Sequence, residues 1–112
     1  MRQPTYFILA ALQDGPLHGY AIISHADELS GGKVKLATGT LYAALDRLTG
    51  EGQVRVTDEE VVNGRARRYY ELTPQGRAGL HAEAERLAAA ARVVTEHHPA
   101  AKRPVRSKVV PA

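Results

Sequence analysis

The sequence predicts a mainly α-helical domain with one small β-hairpin and a long C-terminal helix. Three observations carry this: apolar residues at helical spacing in three short stretches of the first half; an Asn63-Gly64 turn between two strand-like segments; and Thr73-Pro74 opening a last, alanine-rich helical stretch. At 112 residues, with 44% hydrophobic and 24% charged side chains, the chain has the composition of one folded domain.

The first helix spans Pro4 to Gln13, with Phe7, Ile8, Leu9, Ala11 and Leu12 apolar, and Asp14-Gly15-Pro16 ends it. A second runs from about His18 to Leu29 with Tyr20, Ile22, Ile23, Ala26 and Leu29 as its apolar set, and Ser30-Gly31-Gly32 stops it. A short extended piece, Lys33 to Leu36, follows. The third helix has Thr38 as N-cap and Leu41, Leu45 and Leu48 at i, i+4 and i+7. Strand-like segments Gln53 to Val61 and Arg65 to Thr73 flank the Asn63-Gly64 hairpin signal, with Tyr70 and Leu72 on one face and Tyr69 and Glu71 on the other. Threonine as N-cap with proline at the first helical position then starts the last helix, expected to reach about His98 and stop at Pro99.

Three short helices followed by a hairpin make a winged helix-turn-helix arrangement, in which the third helix enters a major groove and the hairpin, or wing, lies along the backbone. Three divisions follow: residues 1–73 as a DNA-binding head, 74–98 as a dimerisation helix, and 99–112 as a basic tail expected to have no fixed fold. The net charge of +3 must be divided the same way. The tail holds Lys102, Arg103, Arg106 and Lys108 and no acid, leaving the first 98 residues with 11 basic against 12 acidic side chains. Anion binding by the head therefore depends on where its cations cluster.

On a helical wheel the core side of the third helix is Leu41, Ala44, Leu45 and Leu48. Gly39, Thr40, Ala43, Asp46, Arg47 and Gly50 turn away from it. The outward N-terminal half, Thr38, Gly39, Thr40 and Ala43 with Tyr42 beside them, is small and hydroxylic, able to approach a phosphate or groove floor closely. Arg47 is the one cation on that face. The plain alternative is a capped surface helix. Arg65, Arg67 and Arg68 crowd after the turn, where a phosphate backbone would pass, and the planar guanidinium fork suits phosphate oxygens. Asp58, Glu59 and Glu60 on the opposing arm allow a second reading, in which acids and arginines pair across the strands.

In the last helix Leu80, Ala84, Leu87, Ala91 and Val94 follow a 4-3-4-3 spacing, a coiled-coil seam expected to join two copies as a homodimer. Packing of this helix back on its own head is the alternative. The histidines, including His18, His25 and the His97-His98 pair, have no carboxylate or cysteine at ligand spacing and are expected on the surface. No cysteine, nucleophile elbow, phosphate-binding glycine loop or paired catalytic carboxylate occurs, so no enzyme, metal or cofactor is expected. No run of 18 apolar residues exists and no signal-like segment leads the chain, so the expectation is a cytoplasmic protein away from membranes.

Gly15-Pro16-Leu17-His18-Gly19-Tyr20, then Gly39-Thr40-Leu41-Tyr42 with Ala44-Leu45 and Arg47-Leu48, then Arg67-Arg68-Tyr69-Tyr70 with Leu72-Thr73 and Gly76, resemble the PadR family of bacterial transcriptional regulators. The match runs in order across about residues 6–80. It implies a winged-helix dimer on operator DNA, usually a repressor, often released by a small aromatic effector, with the single C-terminal helix of the short subfamily making the dimer. The chain departs from the family at Thr38 and Ala43, where proline is common, and it has no tryptophan. A winged-helix protein-interaction module without DNA binding is the competing reading.

Overall fold

In the computed structural model, which describes residues 1–99, the element order is α1 (Gln3–Ala11), β1 (Leu17–His18), α2 (Gly19–Leu29), α3 (Thr38–Gly50), β2 (Val54–Val62), β3 (Arg65–Leu72) and α4 (Pro74–Thr95). Apart from Pro99, the basic tail lies outside the described residues. No described helix is long and apolar enough to cross a membrane.

The core forms where the apolar faces meet. Ile8 and Leu9 from α1, Leu12 at its C-cap and Ile22 from α2 close on Leu41, Leu45 and Leu48 from α3, all fully buried. Val54, Tyr70 and Leu72 complete it from the sheet and Leu80 from α4. Each large aliphatic side chain so buried contributes about 1.5–3 kcal/mol. No polar or charged residue is buried among the described ones, so packing alone holds this centre together.

The hairpin turns at Asn63 (φ 52°) and Gly64 (φ 77°), both left-handed, as a type I′ turn requires. Its register pairs Val54 with Leu72, Glu59 with Arg68, Glu60 with Arg67 and Val62 with Arg65, with an irregularity between Val56 and Asp58. A third strand, absent from the sequence reading, joins the sheet: β1 pairs with β3 through Leu17–Tyr70 and His18–Tyr69, in the order β1-β3-β2. Two residues are too short for alternation to announce a strand, and β1 exists only through its pairing.

Several local expectations change. The N-cap of α3 is Ala37, in extended conformation without a side-chain bond, and Thr38 is already helical. Residues 33–36 form no strand; the Ser30 hydroxyl accepts from the Val34 amide at 2.8 Å, holding the chain as it leaves α2 and buries Val34. Tyr20 and Leu29 are exposed rather than apolar-face residues of α2. Tyr20 lies two positions before buried Ile22, on the opposite side of a helix. At α4 the expected cap is present, since Thr73 Oγ1 accepts from the Gly76 amide at 3.0 Å and donates to the Gly52 carbonyl. The helix ends at Thr95, three residues short of His98.

Candidate nucleic-acid interface

The outer side of α3 is open along its length. Thr38, Gly39, Thr40 and Ala43 are exposed: the last three turn away from Leu41 and Leu45 on the wheel, and Thr38 stands at the helix start. Tyr42 sits at one border of this strip. Its ring lies over Gly19, where any Cβ would overlap the phenol, so the glycine at the start of α2 lets the two helices meet. Arg47 sits at the other border and the far end. It donates to Thr5 Oγ1 at 3.0 Å and to Glu51 Oε1 at 3.5 Å, and with Arg2 it lines a hollow beside the start of α1.

At the near end of α3 an open groove separates the helices from the wing. His18, Gly19, Tyr20, Thr38 and Tyr42 form one bank, and Val62, Asn63, Arg65, Ala66 and Arg67 form the other. The structure thus brings Thr38, Tyr42, Arg65 and Arg67 together and leaves Arg47 at the opposite end of α3. His18, Gly19 and Tyr20 were not among the expected site residues. The signal for Tyr20 was its place opposite Ile22; for His18 there was none, because β1 positions it.

His18 does more than occupy surface. Its Nδ1 accepts from the Ala21 amide at 3.4 Å as the N-cap of α2, and its ring meets Tyr69 edge-on at 5.5 Å. Capping through Nδ1 needs the neutral ring. Partial burial lowers its pKa, Arg67 lowers it further, and Glu60 opposes them. Among the described residues no group of three potential ligands could hold a metal.

The wing arginines do not share one situation. Strand alternation puts Arg68 on the face of Tyr70 and Leu72, while Arg65 and Arg67 share the face of Tyr69. Arg68 Nε donates to Glu59 Oε2 at 2.9 Å, a bond that raises the guanidinium pKa, and Arg67 lies 3.9 Å from Glu60. Arg65, next to the turn and opposite Val62, makes no ion pair among the described residues. Burial raises the Tyr70 phenol pKa, with the Arg68 cation opposing it.

The expected dimer seam divides in two. Leu80, 3% exposed, belongs to the head's own core, because α4 crosses the head in its first three turns. Ala84 is half-buried there, whereas Leu87 (42%), Ala91 and Val94 (76%) lie open beyond the head.

Residues 8–82 match the model of the family described as transcriptional regulator PadR-like. The chain is 46% identical over 81 residues to an uncharacterized transposon protein of Streptomyces fradiae; that match covers 72% of this chain and 22% of the relative's length. It is 40% identical over 87 residues to a transcriptional regulator of Mycobacterium tuberculosis, covering 78% of each chain. Among solved structures it resembles Bacillus subtilis PadR in complex with operator DNA (TM-score 0.65, 27% identity, 96% of this chain and 53% of that one). A PadR family regulator from Clostridium difficile shares the fold (TM-score 0.68, 24% identity, 85% of this chain and 97% of that one). With three helices, a wing and a docked terminal helix in place, and a family match across most of its length, this chain belongs to the PadR-like family of transcriptional regulators.

Proposed function

We propose that the protein is a homodimeric, sequence-specific regulator of transcription, acting as a repressor on operator DNA. The observation that carries this is the open strip of small residues on α3, bordered at its start by the wing groove with Arg65 and Arg67 and at its end by Arg47. Thirteen helical residues span about 20 Å. A helix of that length enters a major groove while its two cationic ends meet backbone phosphates. Thr38, Gly39, Thr40, Tyr42 and Ala43 then lie at or beside the bases, and Arg47, Arg65, Arg67 and Arg68 hold phosphates. The open run Leu87, Ala91 and Val94 pairs with a second copy, with Ala84 at its edge and Leu80 anchoring each helix to its own head. Two heads so joined address two half-sites of a pseudo-palindrome.

Selection of bound sites from random duplex DNA tests the reading directly, and a recurrent, roughly palindromic site is the expected result. Replacing Arg67 and Arg68 together by alanine should weaken selected and random duplexes alike. It should also flatten the salt slope by about 0.9 per lost phosphate contact. An unchanged slope excludes Arg67 and Arg68 from the phosphates. Release by a small aromatic compound completes the reading on the strength of the family resemblance; an effector would lower the occupancy of the selected site. The cross-strand pairs on the wing suit the other reading, an interaction module without DNA binding, and recovery of no preferred duplex is its signature.

A further inference from the structure

The wing carries its own anions. Asp58, Glu59 and Glu60 precede the turn while Arg65, Arg67 and Arg68 follow it, so the outer hairpin has no net charge. The register sets Glu59 directly across from Arg68 and Glu60 directly across from Arg67. Glu59 accepts from Arg68 Nε at 2.9 Å; Glu60 lies 3.9 Å from Arg67 and is held there by the Tyr69 hydroxyl, which donates to it at 2.8 Å. Glu59, Glu60 and Arg68 are exposed and Arg67 is half-buried, and none of the four belongs to the core. An exposed ion pair adds little to stability. A carboxylate does, however, present a guanidinium with the same acceptor pattern as two phosphate oxygens.

We infer that Glu59 and Glu60 are phosphate surrogates that restrain sequence-independent DNA binding by the wing. The inference rests on the proposed DNA-binding function and deepens it. With the carboxylates in place, a passing backbone gains Arg67 or Arg68 only by displacing a partner already there. Non-specific association, which depends on phosphate contacts alone, feels this most. When α3 is seated in a matching groove, the backbone is fixed beside the wing and the exchange goes forward. Arg65, outside these pairs, remains the standing contact. Glu59 and Glu60 therefore act as specificity-determining residues without touching a base.

The test is the Glu59→Gln, Glu60→Gln double variant of the full chain, measured on random-sequence duplex across a salt series beside the parent. Glutamine keeps the size and an acceptor for the Tyr69 hydroxyl. Each exposed pair restrains its arginine by about 2-fold, so random-duplex affinity should rise about 4-fold per wing. The salt slope should steepen, and the selected-to-random ratio should fall. Glu71→Gln is the control for Glu59→Gln alone, because it removes the same single charge, from the Arg55–Glu71 pair (2.6 Å) at the other end of the hairpin. Glu59→Gln alone, which leaves the Tyr69–Glu60 bond intact, serves if the double variant melts early, and should give about half the logarithmic gain. Unchanged or weaker random-duplex binding overturns the inference, as does a gain from Glu71→Gln equal to that from Glu59→Gln alone, which would reduce the effect to net charge. A parent protein that binds no duplex overturns the underlying function instead.

Discussion

Replacing Gly39 by alanine should move stability and DNA binding in opposite directions. Gly39 is the second residue of α3, is exposed, and has no heavy atom within 4 Å of where a Cβ would stand. Alanine therefore meets no clash in the free protein and removes backbone freedom from the unfolded chain. Mid-helix that exchange is worth up to about 1 kcal/mol, and in the first turn about half of it. For a domain of this size the melting temperature should rise by about 2–4 °C. On DNA the same methyl enters the strip where α3 meets the groove. Overpacking a close contact costs about 1–3 kcal/mol. Affinity for the selected duplex should then fall by about 5- to 150-fold, read by fluorescence anisotropy. Opposite signs separate a contact effect from a folding effect. A raised melting temperature with unchanged affinity would show that the start of α3 never comes close to DNA, and the interface argument would fail.

Gly76→Ala should destabilise the fold, because its Cβ would overlap the Gln53 carbonyl that accepts from the Thr73 amide; Gly79→Ala, whose Cβ meets only the Gln53 side chain at 3.7 Å, should stabilise it by up to about 1 kcal/mol. Equal urea midpoints for the two would refute this account of how α4 docks. Leu87→Asp should sediment as a folded monomer, since a charge at this open position costs a lone chain little but is unpaired in an apolar seam; Leu80→Asp should unfold, and a persistent Leu87→Asp dimer would place the interface elsewhere. The folded state favours neutral His18, with Arg67, Glu60 and Tyr69 facing it, so its stabilising share is full above the ordinary histidine pKa of about 6.5. As pH falls below that value the unfolded chain takes up the proton first and stability declines. His18→Asn, which keeps a capping oxygen, should flatten that part of the urea-midpoint profile between about pH 6.5 and 5, and an unaltered profile would acquit His18.

The sequence by itself determined the elements whose causes are local. Leu41, Leu45 and Leu48 mark one face of α3 because a helix repeats every 3.6 residues, and all three are buried. Asn63-Gly64 specifies the turn because both residues tolerate positive φ, and Thr73-Pro74 caps α4 because its hydroxyl and missing N–H suit a helix start. The small outward strip of α3 follows from the same periodicity. The tertiary structure decided which partner each face meets. Leu80 reads as one more seam position, yet it fills the head's core, because the path of α4 depends on Gly76 lying against Gln53. His18 becomes a wall of the groove only through β1 pairing with β3. The wing arginines read as a single cluster, but a strand alternates faces and the register sets an acid across from Arg67 and from Arg68 while leaving Arg65 outside such pairs. The two-residue Asn63-Gly64 turn pairs Val62 with Arg65 and so sets the register of the outer hairpin; beyond the irregularity between Val56 and Asp58 the inner hairpin takes the register that buries Val54, Tyr70 and Leu72, a face that exists only once the core has closed.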